Sequence, residues 1–174
     1  MLMSVLAGGC LPDQASKELP PLSTFPTVRG RHFERVISHF HTPYSFDACD
    51  GGKGRDEQGV PLERYLNDLK FAVCMNRIDT LYYTDHTNFM ADQPFEDLLF
   101  THDRALQVIA TSGMANGNGV ARKIVCENGH ETILVPGFEG RMLALGMTKH
   151  IGTVEENRDI YSDDTPRSVK ALRE

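Results

Sequence analysis

The sequence predicts an α/β fold with a mainly parallel sheet, on three observations. Strand-like and helix-like apolar runs follow one another along the chain, which is the order of βαβ units. Two of the strand-like runs end in polar residues, His39-Phe40-His41 and Asp85-His86, where the βα loops of such a sheet begin. The length of 174 residues, with 40% apolar and 24% charged, suits one soluble domain with its own core.

Residues 1–10, "MLMSVLAGGC", are a short apolar run closing on small residues and Cys10. Residues 11–31 are Pro-rich and polar with no period, as expected of a flexible linker, and residues 32–174 form the domain. The order resembles the end of a bacterial lipoprotein signal, in which Cys10 carries the lipid and the chain is tethered to a membrane outside the cytoplasm. The missing basic n-region supports the other reading, a frayed tail on a cytoplasmic protein.

Within the domain, "FERVISHFHT" (33–42) mixes β-branched and aromatic residues with partial alternation and predicts a strand. Pro61 at a first-turn position and Leu62, Tyr65, Leu66, Leu69, Ala72 and Val73 at helical spacing predict a helix that stops near Asn76. "IDTLYYTDH" is the next strand. Phe95, Leu98, Leu99, Leu106 and Ile109 form one stripe of a helix over 94–109, after which "SGMANGNG" breaks the chain. Asn128-Gly129 joins two apolar runs as a hairpin, and "ALGMTKHIGTV" is a further strand. Thr165 as N-cap and Pro166 at the first helical position open a last helix, whose lack of a stop signal suggests a chain ending inside its fold.

Composition excludes some partners. A net charge of -6 gives no basic footprint for nucleic acid. Cys10, Cys49, Cys74 and Cys126 contain no C-x-x-C pair, so no zinc knuckle or disulfide framework is expected, and Cys74 reads as a small buried hydrophobe on its helix. Oligomeric state has no signal here.

The chemistry gathers at the strand ends. Residues i and i+2 of a strand share a face, so His39 and His41 present two imidazoles together; taken alone they also fit two solvated side chains. Asp85-His86, Phe138-Glu139 and His150 then end or lie in other strand-like runs. Imidazole and carboxylate from several strand ends are the donor set for divalent metals, and the histidine content favours Zn, Mn or Fe over Mg. Asp50 competes with Asp47 for the acidic position of the first segment. His102 falls on the apolar face of its helix, His130 in an exposed turn, and His32 ahead of the first strand, each in a structural or solvated role.

"HFHTPYSFDACD", "YYTDHTN" and "VPGFE" with "TKHIG" resemble the successive motifs of the PHP (polymerase and histidinol phosphatase) superfamily: H-x-H-T-x-x-S-x-D, T-D-H, and P-G-x-E followed by a histidine. The likeness runs over residues 33–152, about two thirds of the chain. It implies a distorted (β/α)7 TIM-like barrel and two or three divalent ions per complete site. His39, His41, Asp47, His86, Glu139 and His150 match metal ligands, Glu139 matches the position that bridges two metals, and Asp85 matches an acid that supports its neighbour. The family's later A-H-P and D-x-H motifs do not occur, so the resemblance covers the N-terminal portion of such a domain and leaves its metal set incomplete.

The function this implies is metal-dependent hydrolysis of a small phosphorylated substrate by activated water, in keeping with the absence of a G-x-S-x-G elbow and of a P-loop. The alternative is a non-catalytic metal-binding or interaction module. Barrels of this type also host hydrolysis of non-phosphate bonds.

Overall fold

The computed structural model describes residues 18–48, 54–98, 107–110 and 119–173. The expectations on Cys10, Cys49, Asp50 and His102 lie outside these residues. Six strands form one sheet: β1 (Val36–Ile37), β2 (Thr80–His86), β3 (Gln107–Ala110), β4 (Gly119–Val125), β5 (Glu131–Glu139) and β6 (Leu143–Leu145). Among the described residues five α-helices accompany them: α1 (Glu63–Met75), α2 (Thr87–Asp92), α3 (Phe95–Leu98), α4 (Val154–Tyr161) and α5 (Pro166–Ala171). The strand order is β1-β2-β5-β4-β3, with β6 also on β5.

The fold is therefore α/β, but the sheet is mixed where a mainly parallel one is expected. β1, β2 and β5 run parallel, whereas β3, β4 and β6 are antiparallel to their neighbours. The reversal follows from the hairpin at Asn128-Gly129. Gly129 takes φ 80° and its N–H donates to the Cys126 carbonyl at 2.9 Å, while Cys126 N–H donates to the His130 carbonyl at 2.8 Å. That is a three-residue loop closed by a residue in the left-handed region.

α1 forms where its spacing predicts, two residues later than Pro61 suggests: Leu62 is the N-cap and Pro61 pairs with Arg55 ahead of it. Tyr65, Leu66, Leu69 and Val73 are buried, and Ala72 faces outward. The helix ends in a Schellman arrangement in which Arg77 takes φ 46°, its N–H donating to Cys74 and that of Ile78 to Val73. The buried stripe packs on Leu81, Tyr83, Ile124 and Leu134 of the sheet. A second cluster joins Met90, Phe95 and Leu98 to Phe138, Ile160 and Tyr161.

Several expectations are corrected. Cys74 is not a lone buried thiol but is bonded to Cys126, 52 residues away. The helix over 94–109 does not run through: Phe95–Leu98 is helical, yet Gln107–Ala110 pairs with β4, where Val108 and Ile109 suit a strand and short apolar runs are ambiguous by period. Strand pairing in 33–42 is confined to Val36–Ile37, and the strand expected over 144–154 is confined to Leu143–Leu145 before Gly146 turns at φ 77°. α4 is unforeseen. His130 is half-buried rather than exposed, with Nε2 2.9 Å from the Ile78 carbonyl. In the expected linker, residues 22–24 form a 3-10 helix, Leu19 N–H donates to the Met75 carbonyl at 3.0 Å, and Arg35 donates to the Pro20 carbonyl at 2.9 Å.

No helix among the described residues is long and apolar enough to cross a membrane.

Candidate metal centre

Parallel pairing of β2 with β5 aligns their last residues. Asp85 lies opposite Phe138, and His86 opposite Glu139, so a histidine and a glutamate end neighbouring strands. The chain beyond β1 stays on β2: Thr84 N–H donates to the Phe40 carbonyl at 2.7 Å, which keeps residues 39–42 beside the β2 end. His39, His41, His86 and Glu139 thus meet because three parallel strands deliver them to the same, C-terminal side of the sheet, where α/β folds bind ligands.

Asp47 joins them through a pinned loop. Ser45 N–H donates to the Thr42 carbonyl at 2.9 Å, and Ser45 Oγ donates to Asp47 Oδ1 at 2.7 Å. His41 Nδ1 then lies 2.9 and 3.0 Å from the two Asp47 oxygens, and His86 Nε2 lies 3.1 Å from Oδ2. Burial pushes the Asp47 carboxyl up, but the hydrogen bonds of Ser45, His86 and His41 outweigh it and hold the group well below the usual carboxylate range.

Glu139 Oε2 is the second focus. It lies 2.8 Å from His41 Nε2, 3.7 Å from His39 Nε2 and 3.7 Å from His86 Nδ1. Two groups result, His39-His41-Glu139 and His41-Asp47-His86, with the donor atoms of each within 4.8 Å of one another. Donors about 2.0 to 2.2 Å from a zinc ion at tetrahedral angles stand roughly 3.4 Å apart, in the middle of the observed range. A neutral imidazole donates through one nitrogen only, whereas His41 turns both nitrogens on carboxylates; a cation within either group satisfies the second. The donor set therefore could hold a metal ion.

Asp85 supports this arrangement by a route the sequence does not suggest. It is fully buried and accepts from Thr42 N–H at 2.7 Å and Thr42 Oγ1 at 2.6 Å, so it ties the His39–His41 segment to β2 rather than orienting its neighbour His86. Burial raises its carboxyl to about 6 against the lowering effect of the two Thr42 hydrogen bonds. Asp85→Asn keeps the shape but sets an amide donor against these donors. It is expected to cost about 1 to 3 kcal/mol, read from the denaturant midpoint, and to loosen His41 with it.

His150 stands apart from both groups. Its Nδ1 lies 2.9 Å from the Tyr161 hydroxyl and its Nε2 2.8 Å from the Gln93 carbonyl, so both ring nitrogens link α4 to the segment after α2. A cavity of about 610 Å³ lined by His32, Arg35, Arg77 and His130 lies at the opposite end of the strands, away from the metal donors.

Comparison with protein-family models, with curated proteins and with solved structures returns no match for this chain.

Proposed function

We propose that the chain is a metal-dependent hydrolase acting on phosphoesters, with a site that resembles the motifs of the PHP superfamily. The observation that carries this reading is the convergence of His39, His41, Asp47, His86 and Glu139, drawn from three parallel strand ends and one pinned loop, into two donor groups that share His41. A divalent ion bound there supplies Lewis acidity, taking the pKa of a water from about 15.7 toward about 7 and offsetting charge on a phosphoester.

The protein's own part is positional. His39 and His41 would bind from the segment beyond β1, Asp47 from the loop that follows it, His86 from the end of β2, and Glu139 from the end of β5 with one oxygen facing all three imidazoles. Thr42 and Asp85 hold the first histidine segment in place. The (β/α)7 barrel is part of the same proposal. Its support is the parallel β1-β2-β5 core, together with apolar side chains left open on the sheet, such as Leu143 and Leu145, which additional βα units would cover.

Placement outside the cytoplasm, by way of a lipidated Cys10, is likewise proposed. The Cys74–Cys126 bond favours it over a cytoplasmic tail, because disulfides persist in oxidising compartments.

The test is to load the protein with Zn or Mn, remove excess by dialysis, and assay p-nitrophenyl phosphate and bis(p-nitrophenyl) phosphate with and without chelator. Chelator-sensitive turnover is expected. Bound metal without turnover on either ester supports the metal-binding module instead, a reading favoured by the engagement of His150 away from the site. Neither metal nor turnover would rule out both.

A further inference from the structure

Beside the metal donors stands an aromatic wall that metal binding does not require. Phe46 lies between Ser45 and Asp47, so the hydrogen bonds that fix Asp47 also fix its backbone. Its ring packs nearly parallel to the ring of His86, with centroids 4.7 Å apart and planes at 22°. Phe89, on α2 just past His86, lies 6.0 Å further on at 32°, and the Arg55 guanidinium sits over the Phe89 ring at 4.3 Å. A row therefore leads from a metal donor through two phenyl rings to a cation.

Phe46 is nevertheless 56% exposed. Single exposed apolar residues are ordinary on protein surfaces. This one differs in its place: a ring stacked on His86, with Phe89 extending the apolar surface, leaves a flat platform at the rim of the donor groups. Aromatic rings favour offset stacking on a partner, and a phosphoester held at the donors projects its ester group over whatever lines the rim.

We propose that Phe46 and Phe89 seat a planar aromatic or heteroaromatic group, so that the site selects aryl over alkyl phosphoesters. Arg55 acts as a positioning residue, holding the Phe89 ring through a cation–π contact. The proposal rests on the phosphoester reading above and adds the substrate class to it.

The experiment is calorimetric titration of the metal-loaded full chain with phenylphosphonate and with methylphosphonate, whose P–C bonds are not hydrolysed, alongside elemental analysis of bound metal. Wild type is expected to bind the phenyl compound about 10-fold more tightly. Phe46→Leu, which keeps the packing against His86 but removes the π face, and Phe46→Ala are expected to reduce that preference to about 2-fold while bound metal and methylphosphonate affinity stay unchanged. Equal affinity of wild type for the two compounds, or binding of neither by metal-loaded protein, overturns the proposal. So does a parallel loss of metal and of both phosphonates in the variants, which would make Phe46 a support for His86. A wild-type chain that takes up no metal at all instead removes the phosphoester reading on which the proposal stands.

Discussion

On the proposed reading, His41→Ala is expected to abolish divalent-metal binding and to bring chelator-sensitive hydrolysis to background. His41 belongs to both donor groups and uses both ring nitrogens, Nδ1 toward Asp47 and Nε2 toward Glu139. Without it, one group shrinks to His39 and Glu139, 3.7 Å apart, and the other to Asp47 and His86, 3.1 Å apart. Neither pair matches the three protein ligands that metal sites with an open position ordinarily retain. Loss of partners behind the ligands costs about 10- to 100-fold in affinity, so a shared ligand is expected to cost more than about 100-fold. His150→Ala is the contrasting variant. It is expected to keep its metal and to lose about 1 to 3 kcal/mol of stability, because it deprives the Tyr161 hydroxyl and the Gln93 carbonyl of their partner. Elemental analysis after dialysis, paired with a denaturant titration, reads both effects. A metal-retaining His41→Ala, or a metal-free but stable His150→Ala, would reverse the assignment.

That contrast marks how far the site was legible from sequence. His39, His41, His86 and Glu139 were legible because a strand end is a local property: an apolar run stops, a polar pair follows, and parallel pairing does the rest. Asp47 was legible through its spacing from His41. His150 sits in an equally apolar run, but Gly146 turns the chain at φ 77° and the last strand ends at Leu145, so the residue is carried to Tyr161 instead of to a strand end. Asp85 was assigned to its sequence neighbour, whereas its partner Thr42 lies 43 positions away and becomes visible only once β1 and β2 pair. Phe46 had no signal of its own, since nothing in sequence says that a phenylalanine beside a ligand stays exposed.

The fold divides along the same line. α1 and α5 carry their signals locally, an apolar stripe in one and Thr165-Pro166 in the other. α4 also carries a local signal: Thr153 and Glu156 form a capping box, with each side chain accepting from the other's backbone N–H. β3 could not be assigned from its four residues, because its identity is set by β4 across the sheet. Pro136 is a similar case. A proline inside a central strand argues against that strand, yet it is tolerated here because β5 exchanges its antiparallel partner there, pairing with β4 up to Leu134 and with β6 from Gly137.

Removing the Cys74–Cys126 bond is expected to cost about 4 kcal/mol of stability without affecting metal binding. The bond closes a segment of 52 residues, and loop-closure entropy in the unfolded chain gives that magnitude at 25 °C. It joins the last turn of α1 to the residue after β4, and the same Cys126 carries the hairpin turn through its bonds to Gly129 and His130. Against a typical total of about 5 to 15 kcal/mol, the loss leaves a marginal fold. Because β4 runs antiparallel to β5, with Val125 paired to Glu131, the bond lies at the start of β5, while the metal donors gather at its end near Glu139. Stability and metal affinity therefore separate. Denaturant titrations of wild type with and without reductant, and of a Cys74→Ala/Cys126→Ala double variant, should give a reductant-sensitive midpoint in the first and a lower, insensitive one in the second, with metal stoichiometry equal in folded samples. A wild-type midpoint indifferent to reductant would return Cys74 to the lone buried thiol its sequence context suggests, and would remove the oxidising compartment from the argument for where this protein works.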